Sequence, residues 1–221
     1  MAWSVFDARG RRKYLNRGEV ERFLDTALDE PASVYAFCRL MAETGCRISE
    51  ALGLTLGRIE IESGTIVFES LKKRRRGVFR SVPVSPYLAR LLLDLPVEHA
   101  DARIWSWTRM TAWRHVHRIF TTARIHGAQA SPKGLRHGFA VGSIGAGVPL
   151  NLVQRWLGHA DIRTTAIYAD AVGPEELAFA ERVRANYLSV LVRRGSTHRH
   201  GRSSNRSRPA RLAHQSSGSA P

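Results

Sequence analysis

Three short strings, far apart in the chain, hold side chains suited to chemistry on a phosphate. Thr44-Gly45-Cys46-Arg47-Ile48-Ser49-Glu50 ends one helix at a glycine and presents Arg47 at the start of the next, with Glu50 one turn on. An arginine held there can fork two N–H donors onto phosphate oxygens. Taken alone, the same spacing also describes a surface ion pair. Ser131-Pro132-Lys133-Gly134-Leu135-Arg136-His137 puts Lys133 and Arg136 on one side of a starting helix, and a helix N-terminus with two cations is a ready anion site. The third string runs Trp156-Leu157-Gly158-His159-Ala160-Asp161 and is followed by Tyr168. Singly, His159 reads as a helix-end histidine and Tyr168 as a core tyrosine with a satisfied hydroxyl. Together the strings supply a phenol nucleophile and the fixed cations that phosphoryl transfer needs.

The overall charge points to a polyanion. The chain carries 34 Lys and Arg against 19 Asp and Glu, a net +15, more than an enzyme of small anions requires. The last 29 residues, 193–221, hold seven of the arginines and no acid, which leaves residues 1–192 with 27 basic and 19 acidic side chains, still +8. That tail is rich in Ser, Gly, Arg and His and is expected to be disordered, since it cannot bury enough surface to offset its ordering entropy. Cys38 and Cys46 read as buried thiols, with neither a disulfide framework nor a metal knuckle around them. Neither a membrane span nor a signal peptide is present, so a soluble, cytoplasmic protein is expected.

The elements that must position these groups follow from periodicity. Asn16 as N-cap with Glu19 three residues on opens a helix to about Leu28, and Leu15 with Val20 forms a hydrophobic staple. A second helix from about Ala32 carries Tyr35, Phe37, Leu40 and Met41 and ends at Gly45. Ile59–Ile61, Thr65–Glu69 and Phe79–Val84 read as an antiparallel sheet with a turn at Ser63-Gly64. Lys72, Lys73, Arg74, Arg75 and Arg76 lie on the connection between its second and third strands. Helices follow from Pro86 and over Thr108–Ile125, Pro132–Ile144, Pro149–Leu157, Arg163–Ala169 and Pro174–Leu191. The fold class is mainly α with a small three-stranded antiparallel sheet, arranged as an N-terminal extension (1–14), one domain (15–192) and the basic tail (193–221).

In this order, the strings resemble the tyrosine recombinase, or phage integrase, family. Its motifs are an arginine in TGxRxxE, then HxLRH, then LGH, and a tyrosine nine residues past that last histidine, the separation of Tyr168 from His159. The resemblance runs from about Leu15 to Leu191, and an ordered set of this kind is far more specific than any one motif. It implies the tyrosine recombinase catalytic-domain fold and a site-specific DNA recombinase. Tyr168 would attack a backbone phosphate, form a 3′-phosphotyrosyl link and release a 5′-hydroxyl. Because the bond is exchanged rather than hydrolysed, neither a cofactor such as ATP nor a metal is expected.

The resemblance also assigns helpers. Arg47 and Arg136 would meet the charge on the phosphorane, and Lys72 would protonate the departing 5′-oxygen, with Lys73 as the other candidate. Lys73, Arg74, Arg75 and Arg76 would otherwise grip DNA phosphates. His159 would bond a non-bridging oxygen, and Glu50 would orient its neighbours. Lys133 stands where the family usually has a histidine; some members carry lysine there and a crowded cationic pocket pushes a lysine toward the neutral form, so the resemblance implies a catalytic residue of a variant active site, with the identity of the base left open. His137 is expected to pack and position, because adjacent helical residues point about a quarter-turn apart. Double-stranded DNA is the implied partner, with self-association as a tetramer on paired sites and, since a separate DNA-clamping domain is missing from this sequence, a possible accessory protein. The short single-domain members, DNA invertases and plasmid resolvases among them, offer the nearest pattern. Pro174–Leu191, amphipathic through Leu177, Phe179, Val183, Leu188 and Leu191, either docks on a neighbouring protomer or packs on its own core. Two other functions use overlapping residues: a non-catalytic DNA-binding accessory protein, and a type IB topoisomerase-like enzyme.

Overall fold

The computed structural model describes residues 4–70, 77–169 and 180–185. The chain divides into two compact units, Met1–Glu176 and Leu177–Pro221. Of the second, the structure describes a helical stretch at 180–185, in which Val183 is exposed. The remainder of the expected 174–191 helix, the tail, and the basic residues Lys72, Lys73, Arg74, Arg75 and Arg76 lie outside the described residues.

The first unit is a set of helices around α2 with one small sheet. Helix α1 (Arg17–Ala27) starts on a complete capping box, in which the Asn16 side chain accepts from Glu19 N at 2.9 Å and the Glu19 carboxylate accepts from Asn16 N at 3.1 Å. Helix α2 (Ala32–Thr44) is buried almost all round and packs on α1, on α3 (Ile48–Leu52), on α4 (Pro86–Leu93) and on α6 (Pro132–Gly145). That surrounding is why its sequence is apolar beyond a single stripe. Across its outer face Phe37 meets Trp105 edge to face at 5.0 Å, and the Trp105 indole donates to Ser33 O at 2.9 Å. Cys38 and Cys46 are buried thiols; burial pushes Cys46 up to about 12.

The sheet has the order β1 (Ile59–Glu60), β2 (Thr65–Glu69), β3 (Phe79–Pro83), antiparallel throughout, with Phe68 paired to Arg80 and Ile66 to Val82. β1 ends one residue earlier than its sequence suggests because Ile61 already opens the turn, its carbonyl accepting from Gly64 N at 3.1 Å. Gly64 takes the left-handed conformation that this turn needs. Helix α5 (Arg109–Thr122) is capped by Thr108 and α6 by Ser131, and α7 (Leu150–Leu157) ends at Gly158 in the left-handed region. Helix α8 (Arg163–Ala166) stops short of Ala169, since Tyr168 N and Ala169 N bond three residues back, to Thr165 O and Ala166 O, and tighten the turn.

Residues 4–14, which show no period in sequence, form a strap that is held locally. Phe6 and Arg12 form an antiparallel bridge, Asp7 accepts from the backbone of Arg9 and Arg11, and Lys13 Nζ donates to Ser4 O at 2.9 Å. The strap contributes Val5 to a second core with Ala140, Val153, Leu157 and Tyr168. The strap therefore leads into the site.

Candidate active site

Arg47 is the residue before α3, and its position follows from Gly45. That glycine ends α2 with φ +60, and a Cβ there would stand 2.5 Å from the Phe139 ring, so the chain can turn and pass close to α6 only with glycine. Glu50 then fixes Arg47 twice, accepting from its backbone N–H at 2.8 Å and from its Nη1 at 2.7 Å. Glu50 is fully buried and takes a second arginine, Arg80 of β3, through Nη1 at 3.2 Å and Nη2 at 2.7 Å. Burial pushes the Glu50 carboxyl up, but Arg80, through its charge and hydrogen bonds, and Arg47 together pull it below the ordinary range. The i,i+3 pair seen in sequence exists, yet it is a buried anion shared by two cations, not a surface bridge.

Arg136 reaches the same cleft from the first turns of α6. Its Nη1 donates to Gly45 O and its Nη2 to Leu157 O, each at 2.7 Å. These carbonyls belong to the ends of α2 and α7, where helix dipoles concentrate negative charge and backbone acceptors are unsatisfied. The guanidinium is thus oriented by neutral groups and keeps its positive charge for something else. Burial, then Arg47, lower it to about 10, so it stays protonated at neutral pH. Lys133, an exposed residue of the first turn, lines the cleft beside it.

His159 follows Gly158 and accepts a place between α7 and α8: its N–H donates to Gln154 O at 3.1 Å, and its Nδ1 lies 2.9 Å from the Thr165 hydroxyl. Its ring lies nearly parallel to that of Tyr168, centroids 6.2 Å apart. Tyr168 itself is 2% exposed and its hydroxyl is 2.8 Å from His137 Nδ1. Burial raises the phenol to about 12 against the opposing pull of Arg136 and Arg47. His137 is held in the other direction, down to about 3, by burial first and then by Lys133, Arg136, His159 and Lys13.

Arg47, Glu50, Lys133, Arg136, His137, His159 and Tyr168 line a single cleft of about 680 Å³. Seven positions spread over three strings of sequence therefore converge. Two residues that sequence reasoning passed over belong with them. Arg80 has a readable signal: it alternates with Val82 on the buried face of β3, where a charge needs a partner. Arg109 lines the cleft from the first turn of α5. It and Lys133 both place cations at a helix N-terminus, against the dipole. Among the described residues no group of His, Cys, Asp or Glu could hold a metal ion, and no helix is long and apolar enough to cross a membrane.

The sequence matches the phage integrase family over residues 13–173. It is 33% identical to the tyrosine recombinase XerD of Neisseria meningitidis serogroup B over 143 residues, which cover 60% of this chain and 48% of that protein. It is 27% identical to the tyrosine recombinase XerA of Pyrococcus furiosus over 191 residues, 81% of this chain and 64% of that one. The chain thus spans about half to two thirds of the length of the curated relatives it matches. Among solved structures, it superposes on the XerH site-specific recombinase in its post-cleavage complex with a palindromic difH substrate, with a TM-score of 0.65, 26% identity, and coverage of 78% of this chain and 53% of that one. The catalytic domain of bacteriophage HP1 integrase gives a TM-score of 0.59 at 24% identity, covering 76% of this chain and 93% of that domain. With more than half of its length matched and its fold shared, the chain belongs to the phage integrase family.

Proposed function

We propose that this protein breaks and rejoins DNA strands at specific sites through a covalent link to Tyr168. The observation that carries this reading is the convergence of Tyr168 with Arg47, Arg136, His159 and Lys133 on one cleft. A core tyrosine has no need of such a setting, and a module that only binds DNA has no need of a phenol at its centre. The charge supports the substrate: from Ala102 to Ala160 the chain holds eight Lys and Arg and no acid, and Arg109, Lys133 and Arg136 of these line the cleft.

In the reaction the Tyr168 oxygen forms a bond to phosphorus as the bond from phosphorus to the 5′-oxygen breaks. The strand is left as a 3′-phosphotyrosyl ester, and the leaving 5′-oxygen takes a proton from the β2–β3 connection, from Lys72 or Lys73. Arg136, with two N–H donors on backbone carbonyls, keeps three of its five for phosphate oxygens. Arg47 adds a second fork, held in register by Glu50. Preorganised donors of this kind are the largest source of transition-state stabilisation in most enzymes. His159 bonds a non-bridging oxygen through Nε2 when Thr165 donates to its Nδ1. Arg109 and Lys133 hold the phosphate backbone at the rim. Double-stranded DNA is the substrate and partner, two sites are paired by a tetramer of this chain, and an accessory DNA-binding protein assists. The protein acts in the cytoplasm, on the nucleoid.

The test uses duplexes enriched from random DNA by binding to the protein, nicked near the scissile position so that cleavage traps the adduct. Arg47→Ala and Arg136→Ala are each expected to lower single-turnover cleavage by at least about 10²-fold while retaining most of the duplex affinity. Equal losses of binding and cleavage would show that these arginines only hold DNA.

A further inference from the structure

We propose that His137 is a catalytic residue of this site: its Nδ1 takes the phenolic proton of Tyr168 as the tyrosine attacks and gives it back when the strand is resealed. This rests on the reading of Tyr168 as the nucleophile, and it answers the question raised by Lys133. A lysine accepts a proton only in its neutral form, whereas a neutral imidazole always presents a lone pair.

The geometry singles out His137. Its Nδ1 stands 2.8 Å from the Tyr168 oxygen, within the range a proton acceptor requires. The rings are tilted at 45° with centroids 5.6 Å apart, so the contact is an end-on polar one. Two other titratable groups of the cleft already have partners. Both Glu50 oxygens receive guanidinium N–H groups from Arg47 and Arg80, and His159 Nδ1 is engaged by Thr165. The quarter-turn between adjacent helical positions is what makes the arrangement work: Arg136 turns to the carbonyls of Gly45 and Leu157, and His137 turns to Tyr168.

Charge supplies the timing. Burial and the cations Lys133, Arg136 and Lys13 keep His137 neutral, and the proposed step uses the tautomer that carries its proton on Nε2 and leaves the Nδ1 lone pair to the Tyr168 hydroxyl. The same burial keeps the Tyr168 phenol protonated. A scissile phosphate seated against Arg47, Arg136 and Lys133 cancels part of the positive field on His137 and raises its basicity as substrate arrives. The proton then moves with the attack: the Oη–H bond breaks, Nδ1–H forms, Oη bonds phosphorus, and the 5′-oxygen leaves with a proton from the hairpin lysine. Resealing runs the same steps backwards, so the imidazolium is consumed and no external acid or base is needed.

Single-turnover cleavage of the nicked duplex by wild type, His137→Asn and His137→Ala tests this. Asparagine keeps an acceptor close to the Nδ1 position but cannot take a proton. Both variants are expected to bind the duplex within about threefold of wild type and to cleave about 10²- to 10³-fold more slowly, and added imidazole should restore part of the rate of His137→Ala. Wild-type cleavage by His137→Asn would reduce His137 to a holder of the phenol and overturn the proposal. Imidazole failing to help a folded, DNA-binding His137→Ala would overturn it too. A measurement on the unmutated protein stands beside these: the nitrogen NMR shifts of His137 at neutral pH should show Nδ1 unprotonated, and a protonated Nδ1 would contradict the mechanism. Normal rates in both variants would defeat this inference alone, whereas no wild-type adduct would defeat the assignment of Tyr168 beneath it.

Discussion

The N-termini of α1 and α3 share one device and put it to different ends. In each, a glutamate at the third helical position folds back onto the N–H of the residue before the helix, Glu19 onto Asn16 at 3.1 Å and Glu50 onto Arg47 at 2.8 Å. In each, the same carboxylate meets an arginine from another element, Arg12 for Glu19 and Arg80 for Glu50. At α1 the cap residue is asparagine, whose side chain closes the other half of the box. At α3 it is an arginine, which has no acceptor to offer, and its guanidinium lies in the cleft instead. α1 resolves its end groups for stability. α3 gives up half a cap to hold a cation in the cleft, and it recovers the loss by burying Glu50 between two guanidinium groups.

The comparison can be broken by removing the two carboxylates in parallel. Glu50→Gln leaves Arg80, a side chain 4% exposed, without an anion. It is expected to lower unfolding free energy by about 3–5 kcal/mol, read by urea melts, and to slow cleavage in the molecules that remain folded. Glu19→Gln leaves Arg12 with solvent to turn to, its side chain being 31% exposed; a loss of about 1 kcal/mol is expected, with cleavage per folded molecule unchanged. Equal effects on stability and on cleavage would erase the distinction between the two ends.

A pH experiment sharpens it. His137 is a base whose folded value is depressed, to about 3 from 6.5. Below 6.5 the unfolded chain binds a proton that the folded chain refuses. Its share of stability is therefore complete above about pH 6.5 and is lost as pH falls toward 3. Between pH 7 and pH 5 this amounts to about 2 kcal/mol. Glu50, depressed as well, adds its loss at lower pH, as the pH falls through its folded value. Melts of wild type and His137→Asn over that range should differ in slope, the variant being flatter; parallel curves would place the acid sensitivity elsewhere. Asn16→Ala should match Glu19→Gln, at about 1 kcal/mol from the lost cap, with cleavage intact.

These contrasts also explain what the sequence could disclose. Gly45, Arg47 and Glu50 were legible because a helix stop, a cap and a one-turn spacing are local facts. So were the capping box at Asn16 and the three strands, whose alternation is short-range. Arg80 was hidden because its partner is 30 positions away, although its place on the inward face of β3 carried a hint. Arg109 looked like any surface arginine until the fold brought the start of α5 to the cleft. The strap at residues 4–14 is too short for a period, and only tertiary packing of Val5 against the Tyr168 cluster reveals it. The bond between His137 and Tyr168 joins residues 31 apart on separate helices, and no helical periodicity encodes such a contact.

Covalent attachment of Tyr168 to DNA is the step on which the proposed reaction depends. Wild-type protein and Tyr168→Phe, each incubated with the nicked enriched duplex, denatured and digested, would be compared by mass spectrometry of the DNA-linked peptide. The account expects a denaturant-resistant adduct from wild type only, with the 3′-phosphate on Tyr168. An adduct formed by Tyr168→Phe, or a link mapped to any other residue, would contradict it.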